Sequence, residues 1–246
     1  MTRWCLVDPD NQWFAPPVGG ASTIGARALR LDTIEYAAEV LGRVPDDRYR
    51  RFLAQFYRQG IDVCGNSWQY ADINTVLIAA GALLQPQSYL EIGVRTGRSV
   101  AMLSSVAPRC DVLGFDLWVA DYAGMPNPGA DAVTTFLRSA GHTGSIEMIT
   151  GDSKVEVPAY FKAHPNRFFD IITVDGDHSR AGAAADLEHV VDRVKIGGVL
   201  VFDDIAHPDH PWLHDVWRDL VMSDSRYSVW AFGEVGFGVA CAVRHR

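Results

Sequence analysis

The sequence predicts an α/β fold whose core is a mostly parallel, seven-stranded sheet that ends in an antiparallel hairpin. From residue 71 onward, short apolar runs alternate with segments of helical periodicity, which is the pattern of strand–helix units. Five such units in succession favour a parallel sheet, because crossover helices join parallel strands. Two further β-rich runs near the C-terminus are separated by only four residues, as in a hairpin.

The segment before residue 71 is irregular and rich in Trp, Pro, Gly and Asp. Helices are predicted after Asp32 and, beyond Pro45, over residues 46–59. We expect residues 1–70 to form a helical and irregular cap that packs on the main domain and contributes to a homodimer. Residues 71–246 then make up the main domain.

The elements of the main domain follow from apolar periodicity and from residues that start or stop helices. Apolar side chains at positions 73, 76, 77, 80 and 84 mark one face of a helix. Ser153 and Glu156 match a capping box, and Gly197-Gly198 is typical of a helix end. The predicted helices are 73–84, 98–106, 130–140, one that begins at Ser153 and one that ends before Gly197, and the predicted strands are 88–92, 111–115, 146–149, 169–174, 199–202, 227–232 and 237–243.

Composition and charge exclude several classes of protein. The 246 residues include 22 basic and 30 acidic side chains, a net charge of −8, whereas nucleic-acid-binding surfaces need clustered Lys and Arg. The four cysteines lack the spacing of a zinc site or a disulfide framework. No signal peptide is apparent, and the longest apolar stretch, residues 75–84, is about half the length of a membrane-spanning helix. We expect a cytoplasmic protein that binds neither nucleic acid nor membranes.

Acidic side chains stand at the ends of the first five predicted strands, the edge at which open α/β sheets bind ligands. Carboxylates gathered at one edge are costly unless a ligand or a metal compensates their charge. The sequence therefore predicts a shared ligand or metal site there. In strand order the acids are Glu91, Asp116, Asp152, Asp175 and the pair Asp203 and Asp204.

The turn after the first strand, residues 93–97, contains glycine but lacks the dinucleotide-binding pattern. Arg95 and Arg98 occupy the second and third glycine positions of Gly-x-Gly-x-x-Gly. Because the second glycine lets the backbone approach a pyrophosphate, a nicotinamide dinucleotide is disfavoured. Asp116, 25 residues after Glu91, still suits a ribose diol. Together these features predict a nucleoside ligand.

The run from Tyr89 to Asp204 resembles the class I S-adenosylmethionine-dependent methyltransferases, whose sheet is Rossmann-like. More narrowly, it is similar to the metal-dependent sugar O-methyltransferases of the macrocin and aminocoumarin type, which have cephalosporin-hydroxylase-like relatives. The resemblance implies S-adenosylmethionine and Mg²⁺, or a similar divalent cation, as cofactors. It also implies a small-molecule or saccharide acceptor.

The resemblance assigns cofactor contacts by position. Glu91, Gly93 and Gly97 would hold the amino acid part of S-adenosylmethionine, and Asp116 would hold the ribose hydroxyls. Asp152 would face the adenine. The other residues expected to contact the cofactor are Thr96, Ser99, Leu117, Trp118 as a stacking wall, Ser153 and Asp175.

Three of the acids are expected to bind the metal. Asp175 follows the fourth strand, and Asp203 and Asp204 follow the fifth. Neighbouring strands lie roughly 4.8 Å apart, so their terminal carboxylates converge. Hard oxygen donors with no cysteine nearby suit Mg²⁺ rather than zinc, and the resemblance implies the same three ligands. The alternative is that Asp203 and Asp204 merely cap a helix.

A base must accept the proton of the acceptor hydroxyl. Asp177 and His178 stand beside Asp175, and we favour His178 because imidazole titrates near neutral pH. His207, His210 and His214 form either an exposed turn or acceptor contacts, and residues 121–125 are expected to form a lid.

Other functions stay open from the sequence. One is a hydroxylase-like, oxidoreductase-associated protein on the same fold, and a second is an O-methyltransferase of catechol-type phenols. A third is a nucleoside-binding module without catalysis, against which the intact acids at positions 175, 203 and 204 argue.

Overall fold

The computed structural model describes residues 4–5, 17–125 and 127–246. Its strands are β1 (Ser88–Ile92), β2 (Asp111–Asp116), β3 (Ile146–Thr150), β4 (Phe169–Val174), β5 (Val194–Asp203), β6 (Tyr227–Phe232) and β7 (Val239–Arg244). Within the described residues these strands form one sheet in the order β3-β2-β1-β4-β5-β7-β6.

Strands β1 to β5 pair in parallel, and the last two strands are antiparallel. Both β1 and β4 are buried at every position, as expected for central strands of a parallel sheet that helices cover on both faces. The chain's final strand, β7, lies between β5 and the edge strand β6. The predicted fold class is therefore confirmed.

The register of the central strands determines where the site lies. Ile92 pairs with Val174, and Val174 pairs with Phe202. The loops that follow β1, β4 and β5 therefore begin side by side at the same edge of the sheet. The strand order changes direction between β1 and β4. In open α/β sheets this switch point opens a crevice that binds ligands.

Helices cover both faces of the sheet. They are α1 (Ala21–Ala28), α2 (Leu31–Leu41), α3 (Arg48–Cys64), α4 (Ile73–Leu84), α5 (Arg98–Val106), α6 (Ala130–Ser139), α7 (Ser153–Ala163), α8 (Arg180–Val190) and α9 (Trp212–Trp217). Helices α4, α5 and α6 pack on one face, and α7, α8 and α9 pack on the other. No helix in the described parts of the chain combines the length and the apolar character that crossing a membrane requires.

The described part of the N-terminal segment packs directly on the main domain. Its apolar side chains share one core with α4, α5 and the sheet, with no break at residue 70. Helix α1 lies so close to β6 that a Cβ at Gly25 would overlap the Trp230 ring. Residues 1–3 and 6–16 of the predicted cap lie outside the described residues, and the division at residue 70 stays a prediction.

Besides shifts of a few residues at the ends of elements, three features differ from the sequence-based expectations. Helix α1 was not predicted. Helix α7 is capped by Asp152, whose Oδ1 accepts a hydrogen bond from Lys154 N, so the predicted capping box at Ser153 is wrong by one residue. The helix expected to continue to Gly197 ends at Val190, and Gly197-Gly198 lies inside β5, where the pairing with β4 is irregular.

Candidate active site

The glycine turn of residues 93–97 joins β1 to α5 at the carboxyl edge of the sheet. Gly93 has φ = 92°, and a Cβ there would overlap the carbonyl oxygen of Asp175 after β4. Gly97 has φ = 76° and packs against Val133 of α6. Glycine is required at both positions, because a side chain would be strained in φ and would push neighbouring elements apart.

Glu91 lies fully buried in β1, just before this turn. Ser99 Oγ donates a hydrogen bond to its Oε1, and the Tyr89 hydroxyl donates to Oε2 at 3.0 Å. Burial raises the pKa of Glu91 to about 8, against the effect of these hydrogen bonds. The arrangement leaves a buried carboxyl group that would ionise when a cationic group binds beside it.

Asp116 connects the end of β2 to the glycine turn. Its Oδ2 accepts a hydrogen bond from Arg95 N at 2.6 Å, and its Oδ1 accepts one from Trp118 N at 2.5 Å. Each carboxylate oxygen has a second lone pair, so Asp116 can still accept bonds from a ligand diol.

The other residues predicted to contact the cofactor lie around the same edge. Leu117 is 57% exposed, and the Trp118 indole donates to Thr150 Oγ1 at 3.0 Å, which lays its ring across the ends of β2 and β3. Thr96 is half-buried in the glycine turn, and Ser153 is half-buried at the start of α7 beside its cap, Asp152. Their contacts with a cofactor stay predictions.

Asp175, His178 and Asp204 form a cluster beside the turn. One donor atom from each side chain lies within 4.8 Å of the others. His178 Nε2 is 3.4 Å from Asp175 Oδ1 and 3.6 Å from Asp204 Oδ2. Although burial opposes a proton on this imidazole, both carboxylates outweigh burial and raise the pKa of His178.

Asp203 contributes no donor atom to this cluster. It is the last residue of β5, and Asp204 after it adopts a left-handed backbone with φ = 59°. Burial and the charge of Asp204 raise the pKa of Asp203 well above its ordinary value, and burial and Asp175 raise the pKa of Asp204. The structure thus brings Asp175 and Asp204 together and leaves Asp203 next to them.

The donor chemistry fits a hard divalent cation. Carboxylate oxygens are the protein ligands that Mg²⁺ and Mn²⁺ prefer. Burial, followed by the charges of neighbouring aspartates, raises the pKa values of Asp203 and Asp204, and a bound cation would offset both effects. Asp175 and Asp204, with Asp203 beside them, are the residues that would hold it.

Asp177 is turned away from this cluster. Its Oδ1 accepts a hydrogen bond from Ser179 N at 2.9 Å, and its Oδ2 lies 3.1 Å from Lys154 Nζ. Burial would raise the pKa of Asp177, but the bonds from Ser179 and Lys154 outweigh it and lower that pKa. Asp177 therefore bridges the β4 loop to the start of α7.

Two of the three later histidines join the site. The His210 ring lies 5.3 Å from His178, centroid to centroid, and His207 lies 4.6 Å from His210. His214 is 58% exposed at its side chain and lies near Asp215 instead. Sequence reasoning missed Trp212, whose indole donates a hydrogen bond to the His178 carbonyl oxygen at 2.8 Å and thereby anchors this loop.

The predicted lid contacts the glycine turn. The Arg95 guanidinium lies 5.6 Å from the centroid of the Tyr122 ring, and its Nη2 lies 3.3 Å from Met125 Sδ. Sequence reasoning also missed Arg98, whose guanidinium lies 5.0 Å from the Tyr49 ring of α3. The one sequence signal for Arg98 is that a basic residue occupies the third glycine position of the dinucleotide-binding pattern.

The region that contains this site matches a known family model. Residues 90–205 match the family model described as a methyltransferase domain. The match spans β1 to the end of β5, and with it all of the acids considered above. A comparison with curated protein sequences gives no match.

Solved structures share the fold at low sequence identity. The O-methyltransferase TomG from Streptomyces achromogenes, involved in tomaymycin synthesis and solved with S-adenosylmethionine, is 21% identical with a TM-score of 0.57, over 82% of this chain and 92% of that chain. CalS11, a TDP-rhamnose 3′-O-methyltransferase of calicheamicin biosynthesis, is 17% identical with a TM-score of 0.55, over 87% and 93%. An O-methyltransferase from Bacillus cereus, solved with S-adenosylhomocysteine, is 19% identical with a TM-score of 0.53, over 87% and 90%.

Proposed function

We propose that this chain, which carries a methyltransferase domain in a class I methyltransferase fold, moves a methyl group from S-adenosylmethionine to a sugar hydroxyl with the help of a divalent cation. One observation carries the proposal. The glycine turn after β1 and the Asp175–His178–Asp204 cluster adjoin each other, since Gly93 and the Asp175 backbone are in contact. A cofactor on the turn and an acceptor at the cluster would therefore meet.

The cofactor part rests on Glu91 and Asp116. Glu91 offers a buried carboxyl group to the ammonium of the methionyl part, and Asp116 offers two fixed oxygens to the ribose hydroxyls. Asp152, the N-cap of α7 in the turn after β3, would face the adenine. These roles follow the order of strands β1, β2 and β3 across the sheet.

The chemistry is a displacement at the methyl carbon. The acceptor oxygen attacks the methyl group, the carbon–sulfur bond breaks, and S-adenosylhomocysteine leaves. A bound divalent cation would lower the pKa of the acceptor hydroxyl and orient it. The neutral imidazole of His178 then accepts the hydroxyl proton.

His178 is the better candidate for the base than Asp177. Its Nε2 faces the two carboxylates of the cluster, whereas both oxygens of Asp177 are engaged by Ser179 and Lys154. We expect His178→Ala to lower turnover by about 10²–10⁴-fold, the usual contribution of a general base. Near-normal turnover in His178→Ala together with inactive Asp177→Asn would move the role to Asp177.

A sugar acceptor is supported by the resemblance to sugar O-methyltransferases and by a fold shared with a TDP-rhamnose 3′-O-methyltransferase. The test is a panel of nucleoside-diphosphate sugars, glycosylated natural products and catechols, assayed with methyl-labelled S-adenosylmethionine. Each acceptor is assayed with Mg²⁺, with EDTA, and with Mg²⁺ added back. The proposal would be supported if a sugar is methylated with Mg²⁺, if EDTA abolishes this methylation, and if added Mg²⁺ restores it.

The same assays test the sugar acceptor and the cation requirement separately. Methylation of catechols alone would refute the sugar acceptor, and transfer that is indifferent to EDTA would refute the cation. Asp219→Asn, an exposed acid outside the site, should behave like the wild type.

A further inference from the structure

Arg98 is the first residue of α5 and follows the glycine turn directly. Its Nε is shielded from solvent and has no hydrogen-bond partner among the residues that the structure describes. None of the ion pairs found in that part of the chain involves Arg98. Buried donors nearly always have an acceptor, so an unpartnered guanidinium nitrogen next to the glycine turn points to an absent ligand.

The surroundings of Arg98 keep it charged. Burial would lower the pKa of its guanidinium, but Tyr49 and the carboxylates of Asp175 and Asp203 outweigh burial and raise that pKa. The Tyr49 ring, 5.0 Å away, covers it from the side of α3. A permanent cation thus lies beside the glycine turn, and no carboxylate of the described residues forms an ion pair with it.

The charges around the turn match those of the proposed cofactor. S-adenosylmethionine carries an ammonium, a sulfonium and one carboxylate. Glu91 and Asp175 suit the two cationic groups, but they would repel the carboxylate anywhere except next to a cation. Arg95, within the glycine turn, has other partners. Its guanidinium contacts Tyr122 and Met125, and its backbone N donates a hydrogen bond to Asp116, the residue proposed to bind the ribose.

We infer that the Arg98 guanidinium binds the carboxylate of the methionyl part of S-adenosylmethionine. Glu91 and Arg98 flank the glycine turn at its two ends, and the ammonium and carboxylate of the ligand share one carbon atom. A guanidinium presents paired donors that match a carboxylate. The inference rests on the proposed function, because it presupposes that the turn binds this cofactor.

The test compares two ligands that differ only in the carboxylate. S-adenosylhomocysteine and its decarboxylated analogue, 5′-deoxy-5′-(3-aminopropylthio)adenosine, are titrated calorimetrically into the wild type, Arg98→Lys and Arg98→Met. The wild type should prefer S-adenosylhomocysteine by on the order of 10- to 100-fold, the range for hydrogen bonds to charged groups. Arg98→Met should lose most of this preference, and Arg98→Lys should keep part of it.

Arg95→Met serves as the matched control, since it removes the same charge three residues earlier, within the glycine turn. It should keep the preference of the wild type, because the Arg95 guanidinium contacts Tyr122 and Met125. An unchanged preference in both Arg98 variants would overturn the inference, as would an equal loss in Arg95→Met. If the wild type binds neither ligand, the cofactor assignment fails and the inference fails with it.

Discussion

At the scale of single residues, Glu91 shows how burial in the site disfavours the charged form of a carboxyl group. Its carboxyl group is fully buried, and burial raises its pKa to about 8 from an ordinary value near 4.5. A carboxyl group with a raised folded-state pKa favours the folded protein when protonated. That contribution is fully present below pH 4.5 and is lost as the pH rises through about 8.

We therefore predict that Glu91→Gln flattens the pH dependence of stability. Between pH 5 and 8 without cofactor, Glu91 alone should lower the unfolding free energy of the wild type by up to about 1.4 kcal/mol per pH unit. Glutamine keeps one oxygen acceptor for the Ser99 and Tyr89 hydroxyls, which donate to separate oxygens of Glu91, and it cannot ionise. Urea unfolding across this range should show the gap between variant and wild type widening with pH, and parallel curves would contradict the account.

At the scale of elements, the glycine turn joins the proposed cofactor site to the proposed acceptor site. Gly93→Ala should destabilise the protein and weaken binding of S-adenosylmethionine, since its Cβ would overlap the Asp175 carbonyl oxygen and separate β1 from β4. Gly141→Ala is the matched control, because Gly141 also has a positive φ, 97°, but has open space around it. Thermal unfolding and calorimetric titration measure the two effects.

The control should lose only about 1–2 kcal/mol of stability, the cost of a left-handed alanine, and should bind S-adenosylmethionine normally. Gly93→Ala should lose more stability and also bind the cofactor poorly. Equal behaviour of the two variants would show that the contact with Asp175 has no special role.

The elements that carry the site could largely be predicted from sequence. β1 and β4 are recognisable because their buried runs are followed directly by polar residues and glycine. The N-cap of α7 was misplaced because Asp152 and Ser153 are both good capping residues, and pattern alone cannot choose between them. The start of β5 was missed because Val194 also fits the helical spacing that precedes it.

Side-chain directions could not be predicted in the same way. The order of strands places Asp175, Asp203 and Asp204 at one edge, but the left-handed backbone at Asp204 decides which of them face His178. Arg98 entered the sequence reasoning only as a missing glycine, since an unpartnered guanidinium becomes visible only when its surroundings are known.

At the scale of the whole molecule, we predict a homodimer to which the N-terminal segment contributes. Phe52 on α3 is 63% exposed although it is a large apolar side chain. Phe52→Glu should lower the mass measured by light scattering, whereas Met222→Glu, 47% exposed elsewhere, should not. A monodisperse monomer for the wild type would contradict the prediction.

In the proposed function, the cluster of Asp175, His178 and Asp204 acts on the acceptor and the glycine turn binds the cofactor. The most direct measurement is the turnover number of Asp204→Asn with its best acceptor and Mg²⁺, set against its affinity for S-adenosylmethionine. We predict a turnover loss of at least about 10²-fold, a typical effect of removing a catalytic group, with nearly unchanged cofactor affinity. Normal turnover in this variant, or equal losses in turnover and cofactor affinity, would contradict the claim.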